Sequence, residues 1–123
     1  MHLLDDPVPF LDHPEAVVRR LAISVCVASG LTKDAVGAIT DLAADDVDGA
    51  VRAMAIEALG GVGEPALGAL QVARSDDDPR VREAVATAYG ELRNPDAVPW
   101  LIALAAGDGD RAGREAAVAA LGA

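Results

Sequence analysis

The side chains able to do chemistry are few, and most lie close to the start of the chain. His2 and His13 are the only histidines, with Asp5, Asp6 and Asp12 beside them. Such residues ligate zinc when their spacing fixes a tetrahedral set. No fixed spacing recurs here, and His13 stands directly before Pro14 at a helix start. The lone cysteine, Cys26, has no histidine near it in sequence to activate a thiolate. Asp108-Gly109-Asp110 opens like a calcium loop but continues to Ala112 and Ala119, where ligands are needed. Gly61-Val62-Gly63 follows a helical pattern instead of a strand, so the context for dinucleotide binding is missing. These residues read as caps, turns and core, and neither catalysis, a metal nor a cofactor is expected.

The elements that would position any site emerge from internal repetition. Arg19, Arg52, Arg82 and Arg114 recur at intervals of 33, 30 and 32 residues within similar segments. Ala22, Ala55, Val85 and Ala117 share one register position, and Ile23, Ile56, Ala86 and Val118 the next. Cys26 aligns with Leu59, Tyr89 and Leu121, a core position. A second series lies between these segments. Val36, Leu67 and Val98 match in it, as do Ile39, Leu70 and Leu101, then Leu42, Ala73 and Leu104. Apolar residues three apart mark a helical face. The fold class is therefore all-α, a solenoid of about three and a half helix-turn-helix repeats.

The punctuation supports this reading. Asp48, Asp78 and Asp110 stand where an N-cap is wanted. Pro79, Pro65 and Pro95 sit at helix starts, and Gly30, Gly60, Gly90 and Gly122 are expected to close the first helix of each repeat in left-handed turns. An acid lies four residues before each arginine, as Glu15/Arg19, Asp48/Arg52, Asp78/Arg82 and Asp110/Arg114, which predicts a ladder of i,i+4 pairs. One domain spans 1–123, with a cap remnant at 1–11, repeats at 12–45, 46–76 and 77–108, and a terminal half repeat at 109–123.

The pattern Asp-x-x-Val-Arg, Ala-x-x-Ala-Leu-Gly, Ala-Val-Pro-x-Leu resembles HEAT-like repeats of the type also found in phycobilin lyases. Its best copies are Val51-Arg52 with Ala58-Leu59-Gly60, and Val81-Arg82 with Ala97-Val98-Pro99-Trp100-Leu101. The resemblance implies a binding scaffold whose second helices line a concave face. On that face Trp100 would be the anchor, beside Lys33, Asp41, Gln71 and Arg74.

Composition bounds the partner. The formal net charge is −10, which repels phosphate backbones and disfavours nucleic acid. Asp77, within the run Asp76-Asp77-Asp78, belongs to an acidic ridge suited to a basic protein partner. The start, Met1-His2-Leu3-Leu4-Asp5-Asp6, is not a signal peptide, and no apolar run reaches the length of a membrane helix. With a single cysteine, a cytoplasmic location is expected. The expected function is a protein-interaction scaffold, with self-association through the exposed repeat ends as a further expectation. Two alternatives stay open, a non-catalytic subunit or chaperone resembling phycobilin lyase components and an acidic decoy for a DNA-binding protein.

Overall fold

A computed structural model describes residues 2–123; Met1, the first residue of the expected cap and of the N-terminal stretch, lies outside the described residues. Among the described residues seven α-helices follow one another: α1 (Ala16–Ser29), α2 (Lys33–Asp45), α3 (Gly49–Gly60), α4 (Leu67–Ala73), α5 (Pro79–Leu92), α6 (Val98–Gly107) and α7 (Arg111–Leu121). Among the described residues there is no strand. Helices α1, α3, α5 and α7 stack as one layer, A, and α2, α4 and α6 form the other, B. The architecture is an α-solenoid.

Packing explains why these segments are helical. In α3 the buried set Val51, Ala55, Ile56 and Leu59 falls at i, i+4, i+5 and i+8, the spacing of one helical face. Ala53, Ala58 and Gly60 are buried as well, because α3 lies between α1 and α5. At the end of the stack, α7 buries only Gly113 and Ala117. The core between the layers is built from Ile23, Ile39, Ile56, Leu70, Val85 and Leu101, with alanines filling the close contacts.

Asp48, Asp78 and Asp110 accept backbone N–H bonds at the starts of α3, α5 and α7, satisfying donors that a helix start leaves free. The prolines act one step earlier than expected in the B layer. Pro65 and Pro95 open short 3-10 turns, Glu64–Ala66 and Pro95–Ala97, from which α4 and α6 continue. Residues Val8–Asp12 form another 3-10 turn, packed on α1 and α2.

The left-handed glycine closures need correction. Of these four only Gly30 has positive φ, at +89°, and its ψ of 124° is not left-handed helical; Gly60 and Gly90 are helical, and Gly122 has φ −87°. Arg93, at φ 52° and ψ 44°, takes the left-handed position that ends α5. The glycines serve helix approach instead. A Cβ on Gly60 would stand 3.0 Å from the Ala88 Cβ, and one on Gly90 would stand 3.0 Å from the Ala120 Cα. Gly90→Val is therefore expected to push α7 from α5 and cost about 1–3 kcal/mol. Gly37→Ala, in open space within α2, is expected to stabilise by about 0.5–1 kcal/mol. Paired thermal melts check both signs.

Candidate interaction surfaces

The four aligned arginines do form a ladder, but not with the acids four residues before them. The Asp48, Asp78 and Asp110 carboxylates cap their helices instead, Asp78 also accepting from Arg80, and the Glu15 side chain makes no pair with Arg19 among the described residues. Arg19, Arg52 and Arg82 each reach forward to the turn that precedes the next A-layer helix. Arg19 Nε and Nη2 donate to Asp46 at 2.8 and 2.9 Å. Arg52 donates likewise to Asp76 at 2.9 and 3.1 Å, and Arg82 to Asp108 at 2.7 and 3.2 Å. The third nitrogen, Nη1, donates backwards to a main-chain carbonyl six residues earlier. For Arg52, Arg82 and Arg114 that carbonyl belongs to Asp46, Asp76 and Asp108. Each of these aspartates thus holds the preceding arginine with its side chain and the following one with its carbonyl. The result is a relay of bidentate pairs joining successive repeats, the geometry in which guanidinium–carboxylate contacts are strongest.

Charge in the relay is well matched. Arg82 holds the Asp108 carboxyl below the usual carboxylate range, against the opposing effect of burial. Burial pushes Asp76 up, but Arg52 and the Asp78 N–H outweigh it and leave Asp76 lowered. Arg80, whose Nη2 donates to Asp78 at 2.8 Å, draws the Asp78 carboxyl down to about 2. The missed signal was the Asp-x-Asp recurrence, Asp46-x-Asp48, Asp76-x-Asp78 and Asp108-x-Asp110, whose first members sit six residues before an arginine.

In the B layer, two of the expected contact residues come together. Arg74 lies at the end of α4, Tyr89 rises from α5, and Trp100 belongs to α6. The Tyr89 and Trp100 rings meet edge to face with centroids 5.8 Å apart. The Arg74 guanidinium sits 5.0 Å from the Tyr89 centroid and 6.0 Å from that of Trp100, and its Nε donates to the Tyr89 hydroxyl at 2.7 Å. Helices α4 and α6 barely approach each other, and this cluster fills the space between them. Much of the indole is therefore used within the fold, and Trp100 is half-buried. Lys33, Asp41 and Gln71 are exposed and form no side-chain hydrogen bond or ion pair among the described residues. Asp77 projects fully into solvent, 3.8 Å from Arg52 at its nearest approach.

A groove lies on the other layer. It is an open depression of about 480 Å³ along α3 and α5, lined by Ala50, Ala53, Met54 and Ala84. Arg20 and Arg80 stand along it, with Glu57, Glu83 and Glu91. An adjoining hollow of about 300 Å³ shares Met54 and Glu57 and continues to Ile23 and Val27 of α1. None of the three glutamates has an ion-pair or hydrogen-bond partner among the described residues. Partial burial, then Glu83 and Glu91, push the Glu57 carboxyl above its ordinary value. Sequence reasoning missed these residues, although Glu83 shares a register position with Arg20, and Glu57 with Thr87. Single acids spaced across three helices give no local motif.

The histidines and the cysteine serve the backbone and the core. His2 and His13 accept main-chain N–H bonds through Nδ1, from Leu4 and Glu15. Cys26 is buried, and burial, then Asp6, push its thiol up. Among the described residues no three His, Cys, Asp or Glu side chains are placed to hold a metal ion, and no helix is long and apolar enough to cross a membrane.

A family model for HEAT repeats matches residues 4–70 and 67–123. No curated protein matches the chain.

Proposed function

Because the chain belongs to the HEAT-repeat family, we propose that it is a protein-interaction scaffold whose partner lies in the groove across the A layer. Stacked helical repeats offer long continuous surfaces to other chains. The observation that carries the reading is the groove itself, where Glu57, Glu83 and Glu91, none of them ion-paired among the described residues, outnumber Arg20 and Arg80 beside Met54 and the alanines. A basic amphipathic segment fits that combination. Its apolar side chains would cover Met54 and Ala84, and a lysine or arginine would neutralise Glu57, Glu83 and Glu91. Bringing a cation to Glu57 relieves the repulsion that its two neighbours impose, so the site gains most from a partner of positive charge.

The expectation built on Trp100, Lys33, Asp41, Gln71 and Arg74 places the partner on the B layer instead, with Asp77 on the acidic ridge. Affinity capture from native lysate separates the two. Glu57→Gln/Glu83→Gln/Glu91→Gln is expected to lose the captured partner at least tenfold, while Trp100→Asp retains it. Salt should weaken the wild-type complex and leave the residual binding of the triple variant unchanged, since exposed charge pairs are screened. Loss of the partner with Trp100→Asp and retention by the triple variant would move the site to the B layer.

A further inference from the structure

The three junctions within the A layer are not closed alike. Helix α3 meets α5, and α5 meets α7, with a glycine set against an alanine. Those glycines, Gly60 and Gly90, come so near Ala88 and Ala120 that an added Cβ would stand 3.0 Å away. At the same register positions the junction between α1 and α3 carries Val27 and Ala58. A branched side chain cannot enter where a methyl group is already too large. Contact between α1 and α3 is accordingly the least extensive of the three.

The wider junction leaves an open hollow of about 300 Å³, lined by Ile23, Val27, Met54 and Ala58, with Ser24 and Glu57 beside them. Val27 is 50 % exposed, an apolar group that the fold leaves half uncovered. The Ser24 hydroxyl donates to Met54 Sδ at 3.8 Å, so this polar group is partnered within the wall. Met54 and Glu57 belong to α3 and also line the acidic depression on its other flank. An apolar recess and a carboxylate cluster thus lie on either side of α3, separated by one helix spacing of about 8–10 Å.

On the reading that the A layer binds the partner, we propose that the α1–α3 hollow takes one apolar side chain of it, of leucine or methionine size. The partner is a helix lying across α3, with its cation over Glu57, Glu83 and Glu91. Residues seven apart on a helix share a face and lie about 10 Å from each other. That span matches the distance between the hollow and the carboxylates, whereas residues four apart, at about 6 Å, fall short. The carboxylates outnumber Arg20 and Arg80, and Asp78 already pairs with Arg80, so a cation is the charge this surface lacks. A second copy of this chain, at net charge −10, suits it less than a basic segment.

Fluorescence anisotropy with labelled alanine-rich helical peptides, each bearing one leucine and one lysine, reads the spacing. Placement seven apart, in one of its two orders, should bind at least tenfold more tightly than placement four apart. Val27→Gly, which restores the glycine–alanine junction, should erase that preference and keep the salt-sensitive binding through lysine. Val27→Gln, at a half-exposed position, should do the same and guards against misfolding of the glycine variant. Equal affinity for both spacings, or a preference untouched by both Val27 variants, would overturn the proposal while leaving glutamate-dependent binding, and with it the A-layer site, in place. Binding indifferent to Glu57→Gln/Glu83→Gln/Glu91→Gln would remove the site itself and the proposal with it. Wild-type self-association abolished by Val27→Gln would make a second copy the occupant and overturn it too.

Discussion

Replacing Leu70 with aspartate is expected to abolish the cooperative unfolding transition. Leu70 is fully buried in α4 and belongs to the continuous core between the layers. Removing it forfeits about 1.5–3 kcal/mol of side-chain burial. An aspartate there would be an unpaired charge in an apolar site, which adds a penalty of several kcal/mol more. A loss above about 4 kcal/mol is most of what holds a domain of this size folded. Leu101→Asp, 3 % exposed at the same register position, should behave alike. Asp41→Ala, on the exposed side of α2, should melt within about 0.5 kcal/mol of wild type. Circular dichroism melts of the three variants check the repeat register, since equal melting would refute it.

The second large effect is expected in the relay. Asp108 accepts from Arg82 Nε, Arg82 Nη2 and the Asp110 N–H, and its side chain is 4 % exposed. Asp108→Ala removes all three acceptor contacts at once and leaves the Arg82 guanidinium with only the Asp76 carbonyl. About 1–3 kcal/mol should be lost, the range for stranding a partly buried hydrogen-bonding group. Removing both partners, as Arg82→Met with Asp108→Leu, should restore part of that loss, because no charge is then left unpaired. The non-additivity of the double-mutant cycle measures the pair directly.

The same pairs set the response to acid. Asp76, Asp78 and Asp108 have folded-state values below the ordinary carboxylate value, Asp78 at about 2. Depressed acids bind fewer protons in the folded state than in the unfolded one. Their stabilisation is complete above the unfolded value near 4 and is lost as pH falls toward 2. Wild type should therefore lose stability steeply below about pH 4, and Asp108→Asn should show a shallower acid limb. Glu57 runs the other way. Its raised value means stability declines as pH rises through its titration.

The fold was legible because it is written locally. Apolar spacing within each helix and the capping aspartates Asp48, Asp78 and Asp110 depend on neighbours a few residues away. What escaped depends on distance across the stack. The true partners of Arg19, Arg52 and Arg82 lie 24–27 residues off and are fixed by repeat spacing, so i,i+4 acids looked equally suitable. Gly60 and Gly90 carried a helix-ending signature, yet their role is set by Ala88 and Ala120 one repeat later. Trp100 drew attention by size, whereas Arg74 and Tyr89 occupy it from two other helices. The groove was least visible of all: Glu57, Glu83 and Glu91 acquire meaning only when α3 and α5 are placed side by side.

The most direct test of the account is an NMR titration of the ¹⁵N-labelled chain with a lysine-bearing amphipathic helical peptide. Saturable shifts at Ala53, Met54, Glu57 and Thr87, weakened by added salt, are the predicted result. Shifts at Asp41, Gln71 and Trp100 with the A layer silent, or no saturable shift at all, would contradict it.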